Sequence, residues 1–124
     1  MKRFVAAIIL FVFVITLSIT EKLYLDSLSN KLFESIETTD SLYPKSPTSA
    51  ENSAKKAVEL WESNKIWLSI FVNHDKLDEI SEGFILLKMR CKGAEHEFNL
   101  AVSDLSFLIE DLVKEESLSI YSFL

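Results

Sequence analysis

Phe4-Val-Ala-Ala-Ile-Ile-Leu-Phe-Val-Phe-Val-Ile-Thr-Leu-Ser-Ile-Thr20, followed without interruption by Glu21-Lys-Leu-Tyr-Leu25, decides the fold of this 124-residue chain. No charge falls between Phe4 and Thr20, and the polar side chains of the run are the hydroxyls of Thr16, Ser18 and Thr20. A helical hydroxyl can bond back to a carbonyl of its own helix, so all three are tolerated in lipid. At ~1.5 Å per residue the run spans about 25 Å, just under a hydrocarbon core of about 30 Å. Beyond Glu21 the apolar residues fall at Leu25, Leu28, Leu32 and Ile36, which is one stripe of a continuing helix. The run predicts a transmembrane anchor over residues 1–22, extended by a helix over residues 23–38.

Cleavage as a secretion signal would need small residues in an Ala-x-Ala pattern. Thr16-Leu-Ser18 and Ser18-Ile-Thr20 match it poorly, and the single cysteine, Cys91, is far from the run, so no lipobox follows. An uncleaved signal-anchor is favoured. Lys2 and Arg3 precede the run and an acidic domain follows it. The positive-inside rule then predicts a single-pass protein of the cell membrane, with its N-terminus cytoplasmic and its C-terminal domain extracytoplasmic. The expected lipid partner is the bilayer, through Phe4–Thr20.

Composition points to helices throughout. Glycine and proline number two each, so few residues break a helix. The fold class expected is all-α, with the N-terminal transmembrane helix extending into an antiparallel three- to four-helix bundle. Residues 21–124 hold all 19 acidic groups and 11 of the 13 basic ones, a balance of −8. Such a surface repels phosphate backbones, which disfavours nucleic acid as a partner. One cysteine excludes an internal disulfide, and its expected place is the core.

Both prolines lie in a linker over residues 39–47, where Pro44 and Pro47 break the helical pattern. A bundle domain over residues 48–124 follows. Ser46 before Pro47 suits an N-cap with proline at the first helical position, and Thr48-x-x-Glu51 is a competing capping box. A helical wheel of the second helix, to about Val72, gathers Trp61, Trp67, Leu68, Phe71 and Val72 on one half, with Ala54, Ala57, Val58 and Leu60. Asn64 projects amid that half. It reads as a buried, hydrogen-bonded register residue in preference to half of a ligand-contacting Asn–Trp pair. Ile66 and Ile70 fall opposite.

Asn73-His74-Asp75 is a turn, and the carboxylates of Asp75, Asp78 and Glu79 suit the start of a third helix for structural reasons alone. His74, Asp75 and Asp78 are too few for a metal site, and no metal or other cofactor is expected. The third helix carries Leu77, Ile80, Phe84, Leu87 and Cys91, ending near Lys92-Gly93. The fourth carries Phe98, Val102, Leu105, Ile109 and Leu112, with Leu100 and Phe107 on the other side, where they extend the core, face the anchor helix or form a partner patch. The apolar end, Leu118–Leu124, is expected to fold back over the bundle.

No catalytic constellation emerges. His74 lies at a turn and His96 on a charged helix, neither near a glycine-rich elbow. Two glycines cannot make a phosphate-binding loop, so no enzyme is expected.

Trp61-x-x-Asn64-x-x-Trp67-Leu68, then Asn73-His74-x-x-Leu77-Asp78-x-Ile80, form a pattern supported by Leu105-x-x-Leu108-Ile109 and Ser117-Leu118-Ser119-Ile120. It resembles a family of membrane-anchored helical proteins of Gram-positive bacteria, mainly clostridial Firmicutes, catalogued as domain of unknown function 4363. The ending Tyr121-Ser122-Phe123-Leu124 departs from the family's Asn-Ile-aliphatic terminus. The resemblance implies a helical fold and a bacterial cell-envelope location, and it brings no catalytic residue. It marks Trp61, Asn64, Trp67 and His74 as positions to test, beside Leu100 and Phe107 from the helical pattern. The function expected is a non-catalytic interaction or accessory subunit of an envelope complex, with a protein partner there. The alternatives are an extracytoplasmic small-ligand-binding or sensor module, and a secreted helical protein. Only Met1-Lys2-Arg3 would remain inside, which weighs against a sensor.

Overall fold

The computed structural model describes the backbone of residues 1–123 and the side chains of residues 1–118. Four helices account for nearly all of it: α1 (Lys2–Leu42), α2 (Pro47–Leu68), α3 (His74–Arg90) and α4 (Glu95–Phe123). Each packs on its neighbours in sequence, α4 closes the ring against α1, and the diagonal pairs do not meet. With short connections this makes an up-down-up-down bundle. Among the described residues there is no strand.

α1 is one rod with two environments. Its 41 residues rise ~60 Å at 1.5 Å each, far more than the other helices need. Phe4 to Phe13 are all exposed, and the buried residues begin at Leu25, continuing through Leu28, Ser29, Leu32, Ile36 and Thr39. It contains an apolar window long enough to cross a membrane. Thr16, Ser18 and Thr20 donate to the carbonyls of Val12, Val14 and Thr16 at 2.8, 3.0 and 2.8 Å, so the hydroxyls are satisfied within the helix. α1 continues to Leu42, past the Thr38 break expected from the sequence. Nothing before Pro44 forbids helix; Pro44 itself lacks an N–H and would crowd the carbonyl four residues back.

The helix ends follow local chemistry. Ser46 caps α2, its hydroxyl accepting from the Ser49 N–H at 3.3 Å, with Pro47 at the first position. The Asn73 carboxamide caps α3 by accepting from the Asp75 N–H at 2.9 Å. α2 ends at Leu68, four residues short of the expected Val72. There the amides of Phe71 and Val72 both turn back to the Leu68 carbonyl, at 3.1 and 2.8 Å, and a tight turn forms. Whether the end of α4 covers the bundle rests on side chains beyond Leu118, outside the described residues.

Trp61 lies at the centre, fully buried and stacked on Phe84 at 5.8 Å, with its indole N–H donating to Ser81 at 2.7 Å. Leu32, Leu68, Leu77, Leu87, Phe98 and Leu105 are buried in the same core. Gly83 lets α4 come close, since a Cβ there would stand 2.9 Å from the Leu105 Cδ1. Far from the apolar run, Tyr43 stacks on Phe98 at 4.0 Å and donates to the Gly93 carbonyl at 2.6 Å, tying the end of α1 to the α3–α4 turn. Cys91 is buried there, its thiol pushed up to about 11 by burial and then by the Glu51 charge.

Ser81→Ala would leave the buried Trp61 N–H without an acceptor, and such a group costs about 1–3 kcal/mol. Denaturation followed by circular dichroism in mild detergent should show that loss. Adding Trp61→Phe should then cost less than it does alone, because the two residues form one coupled pair.

Candidate interaction site at the α2–α3 corner

Six positions were singled out by the sequence, and the structure separates them. Trp61 is a core residue, buried completely. Asn64 is half-buried and receives the Tyr24 hydroxyl on its Oδ1 at 2.6 Å, while its own amide donates to the Leu60 carbonyl at 2.8 Å. That bond fixes the register of α2 against α1. Burial raises the Tyr24 pKa above its ordinary value, so the donor keeps its proton. His74 opens α3 on the surface, and Leu100 and Phe107 stand on the outer face of α4, 50% and 66% exposed. Among the described residues nothing buries them.

Trp67 departs from the wheel reading, which gathered it with the core half. It is 63% exposed, because it lies in the last turn of α2 on the flank facing α1, across a groove that the α1 side chains leave open. Leu68 and Val72 turn inward and pin the corner, leaving Ile66, Trp67 and Ile70 outside. Trp67, Ile70 and Phe71 thus face Leu17, Thr20, Glu21 and Tyr24 of α1 across an apolar groove of about 580 Å³. This groove joins the corner to the end of the uncharged run.

The candidate metal residues do not converge. Asp78 pairs with Lys65 at 3.1 Å, and among the described residues no group of three or more His, Cys, Asp or Glu could hold an ion. The charges here are arranged otherwise. Lys76 on α3 pairs with Asp111 at 2.8 Å and with Glu115, both on α4. Burial pulls the Lys76 pKa down, and the bonds and charges of the two carboxylates more than offset it. Glu116 is pushed up to about 7 by burial, by its hydrogen bond with Glu21, and by the charges of Glu21 and Glu115, against Lys76. Glu116 thus holds its proton to higher pH than an ordinary carboxyl, beside Glu21 on the α1–α4 seam.

Sequence reasoning missed Glu21, Tyr24 and Glu116, although a signal was present. Glu116 lies four residues beyond Leu112 on the core stripe of α4, and Glu21 four before Leu25 on that of α1. Each is a carboxylate placed where the pattern calls for an apolar residue.

The folded pKa of Glu116, about 7, lies above its ordinary 4.5. The folded chain therefore binds more protons than the unfolded chain between those values. The stability contributed by protonated Glu116 is complete below pH 4.5 and is lost as pH rises through 7. Glu116→Gln should remove that slope, making the variant more stable than the parent at pH 7 but not at 4.5. Thermal melts across this range in detergent would check it.

Neither curated proteins nor solved structures yield a match to this chain. A family model, described as a domain of unknown function, DUF4363, matches residues 19–122. The match begins at the last apolar turn of α1 and takes in the whole bundle with its corner and carboxyl pair. The chain belongs to the DUF4363 family.

Proposed function

We propose that this protein is a membrane-anchored, non-catalytic accessory subunit of a cell-envelope complex, its acidic bundle held outside the cell by α1. The division of α1 carries the reading: Phe4 to Phe13 are exposed among the described residues, whereas Leu25, Leu28, Leu32 and Ile36 of the same helix are buried in the bundle. An exposed uncharged run of this length is costly in water and favourable in lipid. Lys2 and Arg3 ahead of it support a cytoplasmic N-terminus. The accessory role is supported by Leu100 and Phe107, large apolar side chains on an otherwise polar outer face. The groove beside α1 supports a second reading, binding of a small apolar molecule, since its volume is in the usual range for ligand sites. Its wall is partly the anchor run itself, which suits a lipid better than a dissolved ligand.

Two measurements test this. The full-length protein should resist alkaline extraction from membranes, and a photo-crosslinker at Ser103, between Leu100 and Phe107, should give a discrete membrane-bound adduct in cells. Phe107→Ser should abolish the adduct while changing stability by no more than about 0.5 kcal/mol, as expected for an exposed site. Recovery of the protein only from the medium, or no adduct from Ser103, would overturn the accessory reading.

A further inference from the structure

We infer that the α2–α3 corner, Ile66, Trp67 and Ile70 with Phe71, is a second membrane contact, seated in the outer interfacial layer of the bilayer that α1 crosses. The inference rests on the anchor reading and adds a surface to it. Leu17 and Thr20 belong to the uncharged run, and Trp67, Ile70 and Phe71 line the same groove. Whatever medium covers Leu17 and Thr20 must therefore reach Trp67 and Ile70.

Length sets how deep that medium extends. The run from Phe4 to Thr20 spans about 25 Å, roughly 5 Å less than a hydrocarbon core. A short span draws its flanking structure toward the bilayer. The missing thickness is about three more residues of α1, reaching Leu23, which is 65% exposed and apolar. The groove, with Leu17 to Tyr24 along one side, then falls at the boundary between acyl chains and headgroups.

The chemistry of the corner suits that layer. Ile66, Trp67 and Ile70 are 73%, 63% and 74% exposed, an apolar cluster on a domain whose balance of charge is −8. Tryptophan favours the interfacial zone, where its ring is shielded and its indole N–H remains wet. Lys65 of the corner is engaged by Asp78, and the domain's balance is acidic, so contact would come from apolar insertion and not from attraction to anionic headgroups. On the neighbouring seam α4 descends past Glu21 at Glu116, and the next exposed apolar residue below it is Leu118.

The two tryptophans make the test direct, because Trp61 is sealed in the core and Trp67 is not. The full-length protein is reconstituted into phosphatidylcholine vesicles, with and without bromine on the acyl chains. The emission of Trp67 is taken as the difference between the parent protein and Trp67→Phe. It should be blue-shifted, lose most of its intensity in brominated lipid and resist aqueous iodide. Trp67 quenched by iodide and untouched by brominated lipid would overturn the inference, and would point to a protein covering the corner. Phe11→Trp in the Trp67→Phe background reads the anchor separately. Quenching of that residue by brominated lipid without quenching of Trp67 defeats the second contact alone; quenching of neither defeats the anchor and the contact together. Circular dichroism confirms that each variant remains helical, as expected for changes at exposed positions.

Discussion

Everything in this molecule depends on the stripe Leu25, Leu28, Leu32, Ile36, which makes the upper part of α1 one wall of the bundle. A membrane helix joined to its domain by a flexible linker would set little about the domain's position. Here the same uninterrupted helix carries the uncharged run and four residues of the core, so no hinge separates them. The position and tilt of the bundle are fixed by those of α1. The contacts that surround the stripe reinforce this at both ends. Tyr43 ties the far end of α1 to the α3–α4 turn, and the Tyr24–Asn64 bond ties its lower part to α2.

Rigid coupling explains why polar groups collect on the seams of α1. Asn64, Tyr24, Thr39 and Ser53 meet across the α1–α2 seam, and Glu21 and Glu116 across the α1–α4 seam. Hydrogen bonds at such places add little net stability but penalise any slip of one helix past another. The core proper, around Trp61 and Phe84, is apolar apart from the Trp61–Ser81 bond. It holds the helices together, whereas the seams determine their register.

Much of this was legible in the sequence. Four apolar stripes, two prolines in one linker and a basic start to an uncharged run led to an anchored helical bundle, and the helical fold follows that pattern. Helix ends were less legible: α1 overran Thr38 and α2 stopped at Leu68, because a helix persists until proline or tertiary packing ends it, not until the pattern fades. Trp67 escaped the wheel for a related reason. Periodicity tells which residues share a face, but whether that face is covered at its last turn depends on the neighbouring helix. Opposite Trp67 the neighbour offers Thr20 and Glu21, which leave a groove. Glu21 and Glu116 were hidden for the opposite reason, since solvated carboxylates are so common on helices that two on core stripes do not stand out singly.

The acidic balance and the apolar corner act in opposite directions, and their arrangement matters more than their sum. A domain carrying −8 is repelled by an anionic leaflet over the range of a Debye length, about 8 Å at physiological salt. Left to itself it would stand away from the bilayer. The helix that carries the domain cannot lengthen, and its uncharged run is short, so standing away would drag Phe13 and Leu17 toward water. If α1 crosses the bilayer as proposed, moving closer brings Glu116 to the boundary of the low-dielectric layer, where its raised pKa lowers its charge. A Glu116 that keeps its proton there would resist approach less than a solvated carboxylate. In that arrangement the length of the run and the raised pKa of Glu116 would favour the same close position of the domain, and the apolar corner would face the layer that this position brings to it.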